Sequence, residues 1–171
     1  MDINKLSRFK IIFSLALGLS FLLIAYSIGF LTHSFQVITP VIVPSIFLEV
    51  IIGSAASIPL GFNPISGALI ASFSNLAFAP FLITAFDTIV KKWTWLGNYL
   101  EKADAISLKY GRYGLISIAM LVPFIGVYVG VAVGIALRLN PLLIFISLSV
   151  GVFLSAFITT FLGERIILFF S

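Results

Sequence analysis

Glu49 is the residue in this sequence best placed to do chemistry. It is the only formally charged side chain between Lys10 and Asp87, and apolar residues flank it on both sides for a helix length or more. A charged side chain at the bilayer centre costs roughly 2.5 kcal/mol or more, and residues that bear this cost usually line a cavity or an ion pathway. The surrounding stretch, Val43 to Pro64, reads VPSIFLEVIIGSAASIPLGFNP, bounded by prolines and rich in small residues. The chemistry on offer is binding of a proton or a cation. The plainer alternative is a structural carboxyl, neutral and hydrogen-bonded, or one shallow enough to reach headgroup water.

The other polar candidates are few. Asn75 lies in the middle of an apolar run, where it either lines a pathway or makes an interhelical hydrogen bond. Asp87 sits at a helix end near Lys91, as an interfacial residue would. Tyr128 could donate a hydrogen bond into a cavity or pack as an ordinary aromatic. Gly126, Gly130 and Gly134 form a stripe that permits close helix packing. Asn63-Pro64 and Asn140-Pro141 read as helix starts, with Asn capping and Pro in the first turn. Catalysis finds little support. There is no cysteine and a single histidine, His33, and no pair of carboxylates is close in sequence at membrane depth. The expectation is therefore no enzyme, no metal and no cofactor. No glycine-rich phosphate loop is present, so transport driven by ATP on this chain alone is not expected.

The elements that must hold Glu49 are membrane elements. The chain is 61% hydrophobic and 9% charged, against about 25% charged in soluble domains. Several runs exceed the roughly 18 apolar residues that mark a transmembrane candidate. Lys5, Arg8 and Lys10 precede the run from Ile11 to Leu31, which is longer than the 7–15 residues of a signal-peptide core. It reads as an uncleaved first helix with a cytoplasmic N-terminus, followed by a short outside loop, Thr32 to Thr39. Residues 87 to 113 change character: Ile89, Trp93, Leu96, Leu100 and Ala103 recur at helical spacing, with lysines and carboxylates on the other side. This is the pattern of an amphipathic interfacial helix. The net charge of +4 is a topology signal rather than a nucleic-acid footprint.

Loop charge fixes the parity of crossings. If all five apolar runs spanned, the basic 87 to 113 loop would lie outside, against the positive-inside rule. The conflict disappears if the stretch holding Glu49 enters and leaves on one side as a re-entrant hairpin. If 114 to 137 does the same, Arg138 also stays inside. The prolines and glycines of both segments suit broken helices, which survive at membrane depth only when enclosed by protein or a wet cavity. An internal repeat agrees: Val43-Pro44-Ser45-Ile46 resembles Val122-Pro123-Phe124-Ile125, and Ile58 to Pro64 resembles Ile135 to Pro141. The spacing between the two blocks differs by two residues. A hairpin plus one crossing reverses sides each time, so two such units are inverted repeats, an arrangement common in secondary transporters.

The series Glu49, Gly53, Ala56, Ile58-Pro59-Leu60-Gly61, Asn63-Pro64 and Asn75 resembles the first half of the prokaryotic small multidrug export protein family. Tyr110-Gly111-Arg112-Tyr113-Gly114, Pro123, Gly126 and Tyr128 through Gly130 resemble its second half. The resemblance runs from about Pro44 to Gly163. That family is similar to the wider DedA and VTT group, which implies two re-entrant hairpins and a link to lipid scrambling or proton-dependent homeostasis. The first-hairpin carboxylate of that group would correspond to Glu49. Its second hairpin carries arginines flanking a proline, whereas here Met120 and Gly126 flank Pro123 and no arginine is present.

The expected architecture is an all-α integral membrane protein. Three spanning helices and two re-entrant hairpins form inverted repeats, with the N-terminus inside and the C-terminus outside. Residues 1–171 form one membrane domain: 1–40 the first helix and outside loop, 41–87 a hairpin plus a crossing, 88–112 the linker, and 113–171 the second hairpin plus crossing. The expected function is a secondary transporter, possessing an ion- or proton-responsive group at Glu49. The expected substrate or ion site comprises Glu49, Pro59, Asn75, Pro123, Gly126 and Tyr128. Alternatives are a lipid scramblase or flippase and a structural subunit of a larger membrane complex. Partners are membrane lipids and an unidentified small molecule, ion or lipid; a homo-oligomer is open and nucleic acid is not expected.

Overall fold

A computed structural model describes the backbone of residues 3–31, 35–92, 94–137 and 139–170, and side chains within 9–31, 35–86, 115–137, 139–166 and at 169. Every regular element in those residues is helical: α1 (Ile3–Phe30), α2 (Phe35–Phe47), α3 (Val50–Ser57), α4 (Pro64–Leu76), α5 (Ala79–Lys92), α6 (Thr94–Ala136) and α7 (Pro141–Phe170). Helices satisfy their own backbone groups, which a chain this apolar requires in lipid. Four segments are long and apolar enough to cross a membrane: Phe9–Phe30, Pro64–Phe86, Leu115–Ala136 and Pro141–Ile166. The second runs through α4 and α5 across the turn at Ala77 and Phe78. Sequence reasoning expected three crossings. The additional segment is the one expected to form the second hairpin, and it contains a non-helical residue, Gly126.

The most enclosed of the four segments is Pro64–Phe86, and α4 supplies the centre of the core with Ala68, Ile70, Ala71, Asn75 and Leu76 all buried. α7 packs antiparallel to α4: Gly67 lies near Thr160, while the Phe73 and Phe153 rings meet edge-on at 5.5 Å. α1 also runs antiparallel to α4. Phe21 packs on Phe73 at 5.8 Å, and Gly18, further back along α1, abuts the Ala77 carbonyl. The outward faces carry Phe9, Leu23, Leu142, Ile166 and many other exposed apolar side chains, as lipid contact demands.

Two places reverse the chain. At Glu49 the path turns, and α3 folds back along α2, so that a Cβ on Gly53 would collide with the Ser45 side chain and the Val41 carbonyl. In α6 the reversal is at Gly126. A Cβ on Gly130 would lie 3.1 Å from Val122 and 3.9 Å from Ile118. Eight residues along an unbroken helix rise about 12 Å, which a valine side chain cannot bridge.

The two reversals share a constant offset of 77 residues, from Glu49 to Gly126 and from Gly53 to Gly130. Their hydrogen bonds match as well. Phe62 N–H donates to the Ser57 carbonyl at 3.2 Å, and Leu139 N–H to the Gly134 carbonyl at 3.0 Å. Asn63 Oδ1 accepts from Ile65 N–H at 2.9 Å and Asn140 Oδ1 from Leu142 N–H at 2.9 Å. Both asparagines thus cap helices whose first residue is proline, as the sequence implied. The proline blocks compared in the sequence match at an offset of 79, because Pro44 stands five residues before its turn and Pro123 three.

Three boundaries differ from expectation. Phe35 to Thr39 was read as loop but begins α2, because Phe35 stacks on Tyr26 at 5.7 Å and Ile38 fills the space left by Gly29. α7 continues through Glu164 and Arg165 to Phe170 instead of ending near Gly163; no proline interrupts it. The backbone from Thr94 to Arg112 is helical and continuous with the start of α6. The side chains of the 88–112 linker and the His33 loop lie outside the described residues.

Candidate functional site

Breaking a helix releases backbone groups, and the site is built from those released at the two reversals. The first half-helix to restart is α3, whose initial residue is Val50; the second restarts after Gly126 with Val127. The Glu49 carboxylate lies beside the Val50 and Val127 backbone N–H groups and the Asn75 side chain. One carboxylate therefore faces the positive N-terminal ends of two half-helices from distant parts of the chain.

Two of the released carbonyls are also paired. Asn75 Nδ2 donates to the Ser45 carbonyl at 2.6 Å, and the Tyr128 hydroxyl donates to the Ile46 carbonyl. Ser45 and Ile46 are the residues whose carbonyls lose their acceptor role when α2 stops at Phe47. The Pro44 carbonyl accepts from both Leu48 and Glu49 N–H, at 2.8 and 3.0 Å, closing the end of α2 with one α-type and one wider π-type bond. Two buried hydroxyls, Ser54 and Ser72, and Asn75 Oδ1 have no hydrogen-bond partner.

The contact between the halves is close. A Cβ at Gly126 would overlap Glu49 Oε1, so only glycine lets the carboxylate approach. Gly126 also has φ 82° and ψ 163°, a region essentially restricted to glycine. Glu49 has φ 151° and ψ 159° and is the non-glycine residue with positive φ among those described. A side chain there costs about 1–3 kcal/mol.

Four of the six residues expected at the site come together: Glu49, Asn75, Gly126 and Tyr128. Pro123 precedes the Gly126 turn by three residues within α6, half-buried. Pro59 lies apart, exposed in the turn after α3, at the opposite end of that helix from Glu49. Sequence reasoning missed the backbone groups of Ser45, Ile46, Val50 and Val127. Their only signal is the break itself, since a backbone N–H carries no residue identity. Among the described residues, no cluster of three His, Asp or Glu could hold a metal.

The sequence model of a family described as "Putative small multi-drug export protein" matches residues 49–158. The chain belongs to this family. No curated protein and no solved structure matches it. The small multi-drug export match opens at Glu49 and takes in Asn75, Gly126 and Tyr128, so the whole cluster lies within it, while α1 and α2 precede it. As a family member with several apolar helices of spanning length, the chain is a multi-pass membrane protein. These features fit a membrane transporter.

Proposed function

We propose that the protein is a secondary transporter in which Glu49 is the proton- or cation-responsive group between two re-entrant hairpins, α2–α3 and the two arms of α6. The observation that carries this is the placement of Glu49 itself. Its backbone position favours glycine, and the position 77 residues later is glycine. Yet a carboxylate stands there, facing the first N–H of both half-helices. A local conflict of this kind is expected where function, not stability, selects the residue.

The mechanism follows from charge. An ionised carboxylate makes charge-assisted hydrogen bonds, roughly twice as strong as neutral ones, and complements two helix N-termini. A proton or bound cation on Glu49 removes that charge and weakens the tie between the hairpins. The Asn75 amide suits both states: its Nδ2 donates, and its buried, unpaired Oδ1 is an acceptor for a protonated carboxyl. Release lets one hairpin rock against the other around a fixed site, as inverted-repeat transporters do. The matched contacts at offset 77 and the antiparallel packing of α4 on α7 support the inverted repeat. Together with the positive-inside rule, this arrangement favours an N-terminus in the cytoplasm and a C-terminus outside. The cluster offers no nucleophile–base pair, and transport rather than catalysis is its proposed work.

A second reading, a lipid scramblase of the DedA and VTT type, is favoured by one observation. Glu49 is only half-buried, and its turn is bordered by exposed Phe47, Leu48 and Phe124, a face open to lipid. Reconstituted vesicles distinguish the readings, with entrapped pyranine reporting proton flux under a pH gradient and dithionite-quenched NBD-lipid reporting scrambling. The transporter reading predicts proton flux in wild type and its loss in Glu49→Gln. Scrambling without flux supports the second reading. Flux unchanged by Glu49→Gln removes Glu49 from the mechanism, and inactivity of pure protein in both assays points to a subunit of a larger complex.

A further inference from the structure

Lys10 stands at the rim of a cavity remote from Glu49. The cavity, about 330 Å³, lies between α1, α5 and α7, with Leu17, Pro80, Ile83, Leu142 and Phe145 among its walls. That volume is at the small end of ligand pockets. Two hydroxyls on the wall are turned to their own helices: Ser14 donates to the Ile11 carbonyl at 2.8 Å and Thr84 to the Pro80 carbonyl at 2.9 Å. Among the described residues, the charged group on the lining is Lys10.

Depth gives the cavity its meaning. In the sequence Lys10 immediately precedes the apolar run that begins at Ile11, Thr84 lies three residues before Asp87, which ends the run from Ile65, and Leu142 opens the last apolar run four residues after Arg138. Three helices thus agree that the rim is at one membrane boundary. Leu17, seven residues further along α1, lies about 10 Å deeper. In the sequence, Lys5, Arg8, Lys91, Lys92 and Arg138, with Asp87 as the one acidic residue, all fall within six residues of the same three run ends.

We infer that this cavity is a binding site for one acidic phospholipid, an acyl chain lying between α1, α5 and α7 and the phosphate at Lys10. The apolar wall matches a hydrocarbon chain. The lysine stem lies along it while its ammonium reaches headgroup level. Basic residues at a membrane surface select acidic lipids, and the basic segment ends make this the side where such selection is strongest. A zwitterionic lipid would fill the cavity equally but gain nothing from Lys10.

Native mass spectrometry of the detergent-purified protein, incubated with dioleoyl phosphatidylglycerol or dioleoyl phosphatidylcholine, tests the site. One phosphatidylglycerol should be retained about fivefold over phosphatidylcholine. Lys10→Gln, at an exposed position, should bring that ratio close to one. Leu17→Trp, which fills the cavity, should strip lipid of either headgroup. Equal retention of the two lipids by wild type, or an unchanged ratio in Lys10→Gln, overturns the assignment. So does phosphatidylglycerol retained by Leu17→Trp as by wild type, or inorganic phosphate raising the melting temperature as much as the lipid does.

Discussion

Gly126→Ala tests the contact between the two halves, and its cost divides into separable parts. The new Cβ meets a backbone at φ 82°, ψ 163°, which costs a non-glycine residue about 1–3 kcal/mol. It also overlaps Glu49 Oε1 and must push the carboxylate away from the neighbouring Val127 N–H. Loss of a hydrogen bond to a charged group costs about 1.5–3 kcal/mol. The expected total is roughly 2.5–6 kcal/mol. In a Glu49→Ala background the carboxylate is already gone, so Gly126→Ala should cost only the backbone part, about 1–3 kcal/mol. The double-mutant cycle should therefore return a coupling of about 2 kcal/mol. Equilibrium unfolding in mixed micelles, titrated with SDS and followed by tryptophan fluorescence, measures all four proteins. Equal costs of Gly126→Ala in the two backgrounds, within about 0.5 kcal/mol, would refute the contact. A nearly neutral Gly126→Ala would refute the turn as well.

Other expectations concern the groups that pair the broken backbone. Tyr128→Phe leaves the Ile46 carbonyl without its donor and should destabilise by about 1–3 kcal/mol in the same assay. Asn75→Leu should cost a similar amount through the Ser45 carbonyl, with a further loss of whatever flux Glu49 supports. Asn63→Ala and Asn140→Ala remove equivalent caps and should each cost about 1 kcal/mol; strongly unequal values would speak against equivalent halves. Gly53→Val should be destabilising by at least about 1–3 kcal/mol, the usual cost of overpacking, because the Ser45 side chain and Val41 carbonyl leave no room.

The two-sided character of the chain was visible in its sequence because lipid imposes strict rules on charge and length. Glu49 announced itself as a lone carboxylate, and Asn63-Pro64 and Asn140-Pro141 as caps, since each depends on residue type alone. The reversal points were harder to locate. Pro44 drew attention, yet it is accommodated inside α2 along with Pro40, and the turn falls on a glutamate that local propensity would not choose. The early start of α2 was hidden because Phe35 gains helical structure from stacking on Tyr26, a tertiary contact. Tyr128 could be named as a donor but not given its acceptor, for the Ile46 carbonyl becomes available only once α2 ends. Pro59 was grouped with the site by its motif, and the length of α3 carries it away.

Cysteine accessibility is the most direct test of two hairpins entering from opposite faces, since the chain has no native cysteine. Single cysteines at Gln36 and Asn63 mark the two ends of the first hairpin, and at Ser107 and Asn140 the two ends of the second. In oriented vesicles, with a membrane-impermeant maleimide, Gln36→Cys and Asn63→Cys should both label from outside, and Ser107→Cys and Asn140→Cys only from inside. Labelling of Gln36→Cys and Asn63→Cys from opposite faces would mean that the stretch holding Glu49 crosses the bilayer, and would contradict the account.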